Sequence, residues 1–135
     1  MKFSLCSRLF GLCLLATGLW SCEGATYVNH HFVNSTGVPL TLGIRSDASQ
    51  TGWAMDTSWL LAPGETRIHY AVDQWGKCHA CDAYFVPGYG LDSIWATGDG
   101  PDMGTLTVNL LDSAYWEISS EEGLSWIRIE QTLSL

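Results

Sequence analysis

Val38-Pro39-Leu40-Thr41-Leu42-Gly43-Ile44 is the stretch on which the fold turns. Val38, Leu40, Leu42 and Ile44 alternate with Pro39, Thr41 and Gly43, and a two-residue period places one set of side chains on one face of an extended chain. The segment therefore predicts a strand with one face in a core. Glu65 to Val72 repeats the period, with Thr66, Ile68 and Tyr70 set against Arg67, His69 and Ala71. Between the two, Trp53 to Leu61 is apolar but interrupted, and Pro63-Gly64 is a turn.

Outward from these segments the punctuation continues. Thr26 to Val33 reads as a first strand, closed by the turn Asn34-Ser35-Thr36-Gly37. Ala83 to Val86 and Leu91 to Thr97 read as strands around Pro87-Gly88-Tyr89-Gly90. The Asp99-Gly100-Pro101-Asp102 turn introduces Leu106, Val108 and Leu110, and Tyr115 to Ser119 and Leu124 to Glu130 close the chain, with Glu121-Glu122-Gly123 as a hairpin turn. No helical period is sustained. About eight or nine short strands at such spacing predict an all-β fold, a single-domain antiparallel β-sandwich or small barrel over residues 25–135. Pairing of the first strand with the last would cover an edge.

The residues before this domain predict a cleaved export signal over 1–24. Lys2 and Arg8 precede the apolar run from Leu9 to Ala16, and small residues follow at Ser21, Cys22, Gly24 and Ala25. The run is shorter than the roughly 20 residues that cross a bilayer. Leu19-Trp20-Ser21-Cys22 is similar to a bacterial lipoprotein signal, which would acylate Cys22; cleavage after Gly24 or Ala25 is the rival. The expected location is secreted, periplasmic or at the cell surface. With the signal gone, Cys78 and Cys81 are left, and two thiols in an oxidising compartment predict a disulfide that clips a short loop.

Charge follows the same cut. From Cys22 onward four cations, Arg45, Arg67, Lys77 and Arg128, face 14 carboxylates, a balance of −10. Such a chain repels phosphate backbones, so nucleic acid is excluded as a partner and anionic lipid is disfavoured. Glycan, neutral lipid or a cationic protein remain.

Motifs for chemistry are sparse. Cys78-His79-Ala80-Cys81 has redox-dithiol spacing, but the helix that lowers such a thiol's pKa is not expected after it. His30 and His31 fall on opposite faces of a strand and cannot chelate together, and most histidines are expected to be half-exposed. Asp92, Asp99 and Asp102 match no calcium loop. No nucleophile elbow is present. No metal, no cofactor and no catalysis are expected.

Tryptophan is the outlier. Trp53, Trp59, Trp75, Trp95, Trp116 and Trp126 lie beyond the signal, and a small sandwich cannot bury so many large rings along with its tyrosines. Trp59, Trp95, Trp116 and Trp126 sit in apolar segments and are expected in the core. Trp53, Trp75 and Tyr89 sit beside glycines and are expected to form an exposed aromatic platform. The Trp-rich acidic layout is similar in character to the aegerolysin-like lipid-binding sandwiches, with no motif in common, so no family follows from it. The expectation is a non-catalytic binding module that holds glycan, lipid or protein through aromatic loops. An acidic inhibitor or immunity-type protein that blocks a cationic enzyme is the alternative, and a redox or metal-binding protein built on Cys78 and Cys81 ranks behind both. Asn34-Ser35-Thr36 is in addition a glycosylation sequon, and its turn is expected to expose Asn34.

Overall fold

The alternating segments become the strands of two stacked sheets. The computed structural model describes residues 24–47, 54–78, 81–98 and 109–135, the side chains of 73–75 excepted. Residues 1–23, where an export signal and Cys22 acylation are expected, together with candidate Trp53, His79, Asp99, Asp102, Leu106, Val108 and the Trp75 side chain, lie outside the described residues. The strands are β1 (Ala25–Val33), β2 (Leu40–Ser46), β3 (Met55–Leu61), β4 (Thr66–Trp75), β5 (Ser93–Gly98), β6 (Trp116–Glu122) and β7 (Trp126–Ser134). One sheet has the order β4-β1-β7-β6 and the other β3-β2-β5.

The stretch from Val38 to Ile44 supplies β2 as its period requires. Leu40, Leu42 and Ile44 are buried, paired with Leu61, Trp59 and Thr57 on β3 and with Gly98, Ala96 and Ile94 on β5. Phe32, Trp116 and Leu133 from the four-stranded sheet join Leu42, Ile44, Leu61, Ile94 and Ala96 in one apolar cluster. Gly43 faces the other way. A Cβ there would overlap the indole of its cross-strand partner Trp95. Trp95, expected in the core, is therefore half-buried on the outside of the three-stranded sheet. Trp116 is in the core, and Trp59 packs against it.

In the four-stranded sheet Thr26, Val28, His30 and Phe32 of β1 point inward, as do Ile127, Ile129, Gln131 and Leu133 of β7. Chain start and chain end do pair, but not as expected. β1 and β7 run parallel and hold the centre of the sheet, leaving β4 and β6 as edges. All other pairs are antiparallel. Seven strands are present among the described residues rather than eight or nine, partly because one expected strand is something else.

That strand is Ala83 to Val86, which lies in and just after a short 3-10 helix, Cys81–Phe85. The reason is local covalent geometry and a distant side chain. Cys78 and Cys81 form the expected disulfide, with Cα atoms 5.5 Å apart, which curls the chain too tightly for an extended ladder. Gln131, buried on β7, then satisfies the curled backbone: its Nε2 donates to the carbonyls of Tyr84 (2.6 Å) and Val86 (3.0 Å), and its Oε1 accepts from the Gly88 amide (2.8 Å). The clipped segment packs Cys78, Cys81 and Tyr84 against Val28, Ile127 and Ile129.

Asn34 corrects a second expectation. Its side chain, expected to be exposed in a turn, is fully buried. The amide donates to Val38 O (2.8 Å) and Leu61 O (2.9 Å), and its oxygen accepts from the Thr36 amide (3.0 Å) and hydroxyl (2.6 Å). Its backbone carbonyl accepts from Gly64 (2.7 Å), whose φ of +77° completes the Pro63-Gly64 turn without a Cβ penalty. One residue thus ties the end of β1 to the start of β2, the end of β3 and the turn into β4.

Candidate functional site

Alternation on a strand sends every second residue away from the core. In the central strands of the four-stranded sheet those residues are chemically unusual: Tyr27, Asn29 and His31 on β1, and Trp126, Arg128, Glu130 and Thr132 on β7. Neighbouring β4 adds Ile68 and Tyr70, and β6 adds Glu117, Ser119 and Glu121 opposite Thr132, Glu130 and Arg128. Aromatic rings, an aliphatic side chain and hydrogen-bonding groups are interleaved over one sheet face.

The polar groups hold one another in place. Glu130 is the hub: its Oε1 accepts from Asn29 Nδ2 at 3.1 Å, its Oε2 lies 2.5 Å from His31 Nε2, and Arg128 Nε sits 3.8 Å from the same carboxylate. The Arg128 guanidinium reaches both aromatic neighbours, 5.8 Å from the Tyr27 ring centre and 5.7 Å from that of Trp126, a distance at which the ring quadrupole attracts a cation. Trp126 is further seated over Gly123, where a Cβ would strike the indole. By contrast Tyr70 is held by little and is 69% exposed.

Two adjoining depressions mark the face. One of about 390 Å³ is lined by Tyr27, Asn29, His31, Ile68, Tyr70, Val72, Arg128 and Glu130. The other, of about 290 Å³, is lined by Ala25, Tyr27, Ser125, Trp126 and Arg128. Sequence reasoning placed Trp126 in the core, yet the signal against that was present. Ile127 and Ile129 flank Arg128, so the period that buries them puts Trp126 on the face of Arg128 and Glu130.

Of the expected aromatic platform, only the Tyr89 side chain is among those described. It is half-buried, edge-on to Tyr84 with ring centres 4.9 Å apart, and its phenol pKa is raised by burial and then by Tyr84. It sits in the clipped segment, apart from the residues that line the two depressions. The Trp75 backbone pairs with Ala25 at the far end of β4. A helix does follow the cysteine pair, contrary to expectation, but its five residues of 3-10 turn are not the multi-turn helix that activates a thiol.

The histidines divide by face as the strand period demands, though His30 is buried rather than half-exposed. Neither ring nitrogen of His30 has a hydrogen-bond partner. The ring packs against His69 (5.5 Å between centres), Trp116 (5.7 Å) and Phe32 (6.1 Å). Desolvation, then repulsion from His69 and His31, pushes its pKa down to about 3. His69 is lowered by burial as well. Among the described residues no group of three or more His, Cys, Asp or Glu is arranged to hold a metal ion. No helix among them is long and apolar enough to cross a membrane.

The four cations of residues 24–135 are all engaged in ion pairs: Arg45 with Asp56 (2.7 Å), Arg67 with Glu65 (3.6 Å), Lys77 with Glu122, and Arg128 with Glu130. These pairs are largely exposed and add little stability. Their effect is on the surface, where the surplus carboxylates are left to set the potential. No family model, no curated protein and no solved structure matches this chain.

Proposed function

We propose that this protein is an exported, non-catalytic binding module whose ligand face is the outside of the four-stranded sheet, and that the ligand is a glycan. The observation that carries the reading is the interleaving on that face. Tyr70 offers an open ring, and Asn29, His31, Arg128 and Glu130 present donors and acceptors already oriented by one another. A sugar needs both, an apolar patch for the C–H face of the ring and fixed polar groups for its hydroxyls. Groups tied in place before binding lose less entropy when the ligand arrives. Export is supported by the N-terminal charge and hydropathy pattern and by the disulfide. Acylation of Cys22 would hold the module at a surface, and the mass of the mature N-terminus decides between anchoring and release.

Titration of the protein with a panel of neutral oligosaccharides, read by calorimetry and by tryptophan emission, tests the reading. Binding of chains of four or more units that Tyr70→Ala and Asn29→Ala each weaken by about tenfold or more, roughly 1.4 kcal/mol, supports it. Binding unchanged in both variants refutes this face as the site.

The pairing of every cation beyond the signal favours a second reading, an acidic inhibitor of a cationic enzyme. That reading requires a basic partner captured at low salt and released as salt screens the attraction. Capture that is insensitive to salt rules it out.

A further inference from the structure

We infer that the face takes an uncharged oligosaccharide laid along β1 and β7 across two subsites; this rests on the glycan reading above. The two depressions share Tyr27 and Arg128 and together run from Trp126 to His31 and Tyr70. Trp126 is level with Ala25 across the parallel pair, and His31 lies six residues further along β1. At ~3.3 Å per residue that is ~20 Å, the length of about four pyranose rings at roughly 5 Å each.

The subsites differ in construction. At one end, the Trp126 and Tyr27 rings are held by the guanidinium between them, a wall whose geometry is set before any ligand arrives. At the other, Tyr70 stands open beside Ile68, with the Asn29, His31 and Glu130 cluster within the same depression. The first is a rigid primary subsite. The second adds stacking for a longer chain and leaves a short one unaffected.

Charge selects within the class. Glu117, Glu121 and Glu130 share this face, and Arg128, their one cationic neighbour on β7, already pairs with Glu130. A chain of uronic acids meets net repulsion here. An uncharged chain meets none, and its hydroxyls can use both oxygens of each carboxylate as acceptors.

The test is calorimetric titration of the protein with β-1,4-linked glucose, β-1,4-linked N-acetylglucosamine and α-1,4-linked glucose chains of two to six units, with galacturonic acid chains as the charged arm. For one uncharged series, Kd should fall about tenfold from the two-unit to the four-unit chain and change little beyond it. Tyr70→Ala should keep the two-unit Kd and abolish the gain with length, while Trp126→Ala should weaken every length. Near-ultraviolet circular dichroism establishes that both variants are folded. A Kd independent of length, or a gain that survives Tyr70→Ala, overturns the two subsites and leaves glycan binding standing. Tighter binding of galacturonic acid chains overturns the charge argument. A Tyr70-dependent dimer in light scattering assigns the face to a second copy instead. Binding by none of the series overturns the proposed function with it.

Discussion

Removing the Asn34 side chain should cost this fold more than removing most of its core methyl groups. In Asn34→Ala four hydrogen bonds disappear: two from the amide to Val38 O and Leu61 O, and two to the side-chain oxygen from Thr36. A neutral hydrogen bond contributes about 0.5–1.5 kcal/mol net, and buried partners left unpaired cost more. The Thr36 hydroxyl, which has one proton and lies 2.6 Å from the Asn34 oxygen and 2.9 Å from Val38 O, is then free to donate it to Val38 O, which softens the loss. About 3 kcal/mol is the expected sum, a fall in Tm of about 12 °C for a domain of this size. Asn34→Asp separates size from chemistry. The carboxylate can still accept from Thr36, but it faces two carbonyl oxygens, so at pH 7 it should be worse than Asn34→Ala. Burial raises the pKa of such a carboxyl, and protonation restores one donor, so the variant should regain stability relative to wild type as the pH falls through 6 to 4. Urea unfolding at pH 7 and pH 4.5, followed by tryptophan emission, reads both effects. An Asn34→Ala protein within about 0.5 kcal/mol of wild type would refute the claim that this side chain ties β1 to β2, β3 and the turn into β4.

Other outcomes follow from single contacts. The folded protein holds His30 neutral down to about pH 3, whereas an unfolded chain protonates it near 6.5, so below that pH the unfolded state binds the extra proton. Wild-type stability should therefore fall relative to His30→Phe as the pH drops from 6.5 towards 3, by up to about 1.4 kcal/mol per pH unit, with no difference in slope above 7; parallel denaturation curves at pH 7 and 4.5 would contradict this. In Gly43→Ala the new methyl displaces the Trp95 indole, with an expected loss of about 2 kcal/mol and a red shift in tryptophan emission, both read in one denaturant titration. Gln131→Leu leaves the Tyr84 and Val86 carbonyls and the Gly88 amide without their partner. Amide exchange should then accelerate across 81–91 before the strands open, and uniform acceleration over the whole chain would show that the clipped segment is not separately anchored.

Much of the fold was legible because burial imposes a two-residue period. Val38 to Ile44, Thr26 to Val33 and Leu124 to Glu130 all declare strands, and the same period separates His30 from His31. Pairing was not legible. Nothing in Ala25 to Val33 states that its neighbours are β4 and β7, or that the second lies parallel, since hydrogen bonds between strands are made by backbone groups common to every residue. Tyr84, Phe85 and Val86 are good strand formers, and a disulfide together with the remote Gln131 overrode that preference. The candidate face was half-legible. Trp126, Arg128 and Glu130 share a parity readable from sequence, but Tyr70 joins them only through the β1–β4 register. Thr66, Ile68 and Tyr70 look like an inward set, yet it is His69 that lies among core residues.

The central parallel pair also sets a clock. Asn29 bonds to Glu130, 101 residues later, so the middle of the four-stranded sheet is made from the first and last strands of the domain. At about 5–20 residues per second, a ribosome finishes β7 roughly 5–20 s after β1. Until then β1 has no β7 to lie beside, and the edge-to-edge order of the sheet cannot be completed from the amino end. Contacts this distant in sequence also slow folding itself. Under the export proposed above, a chain threaded across a membrane in extended form benefits from that delay, because the topology keeps the sheet open until its last strand has been made.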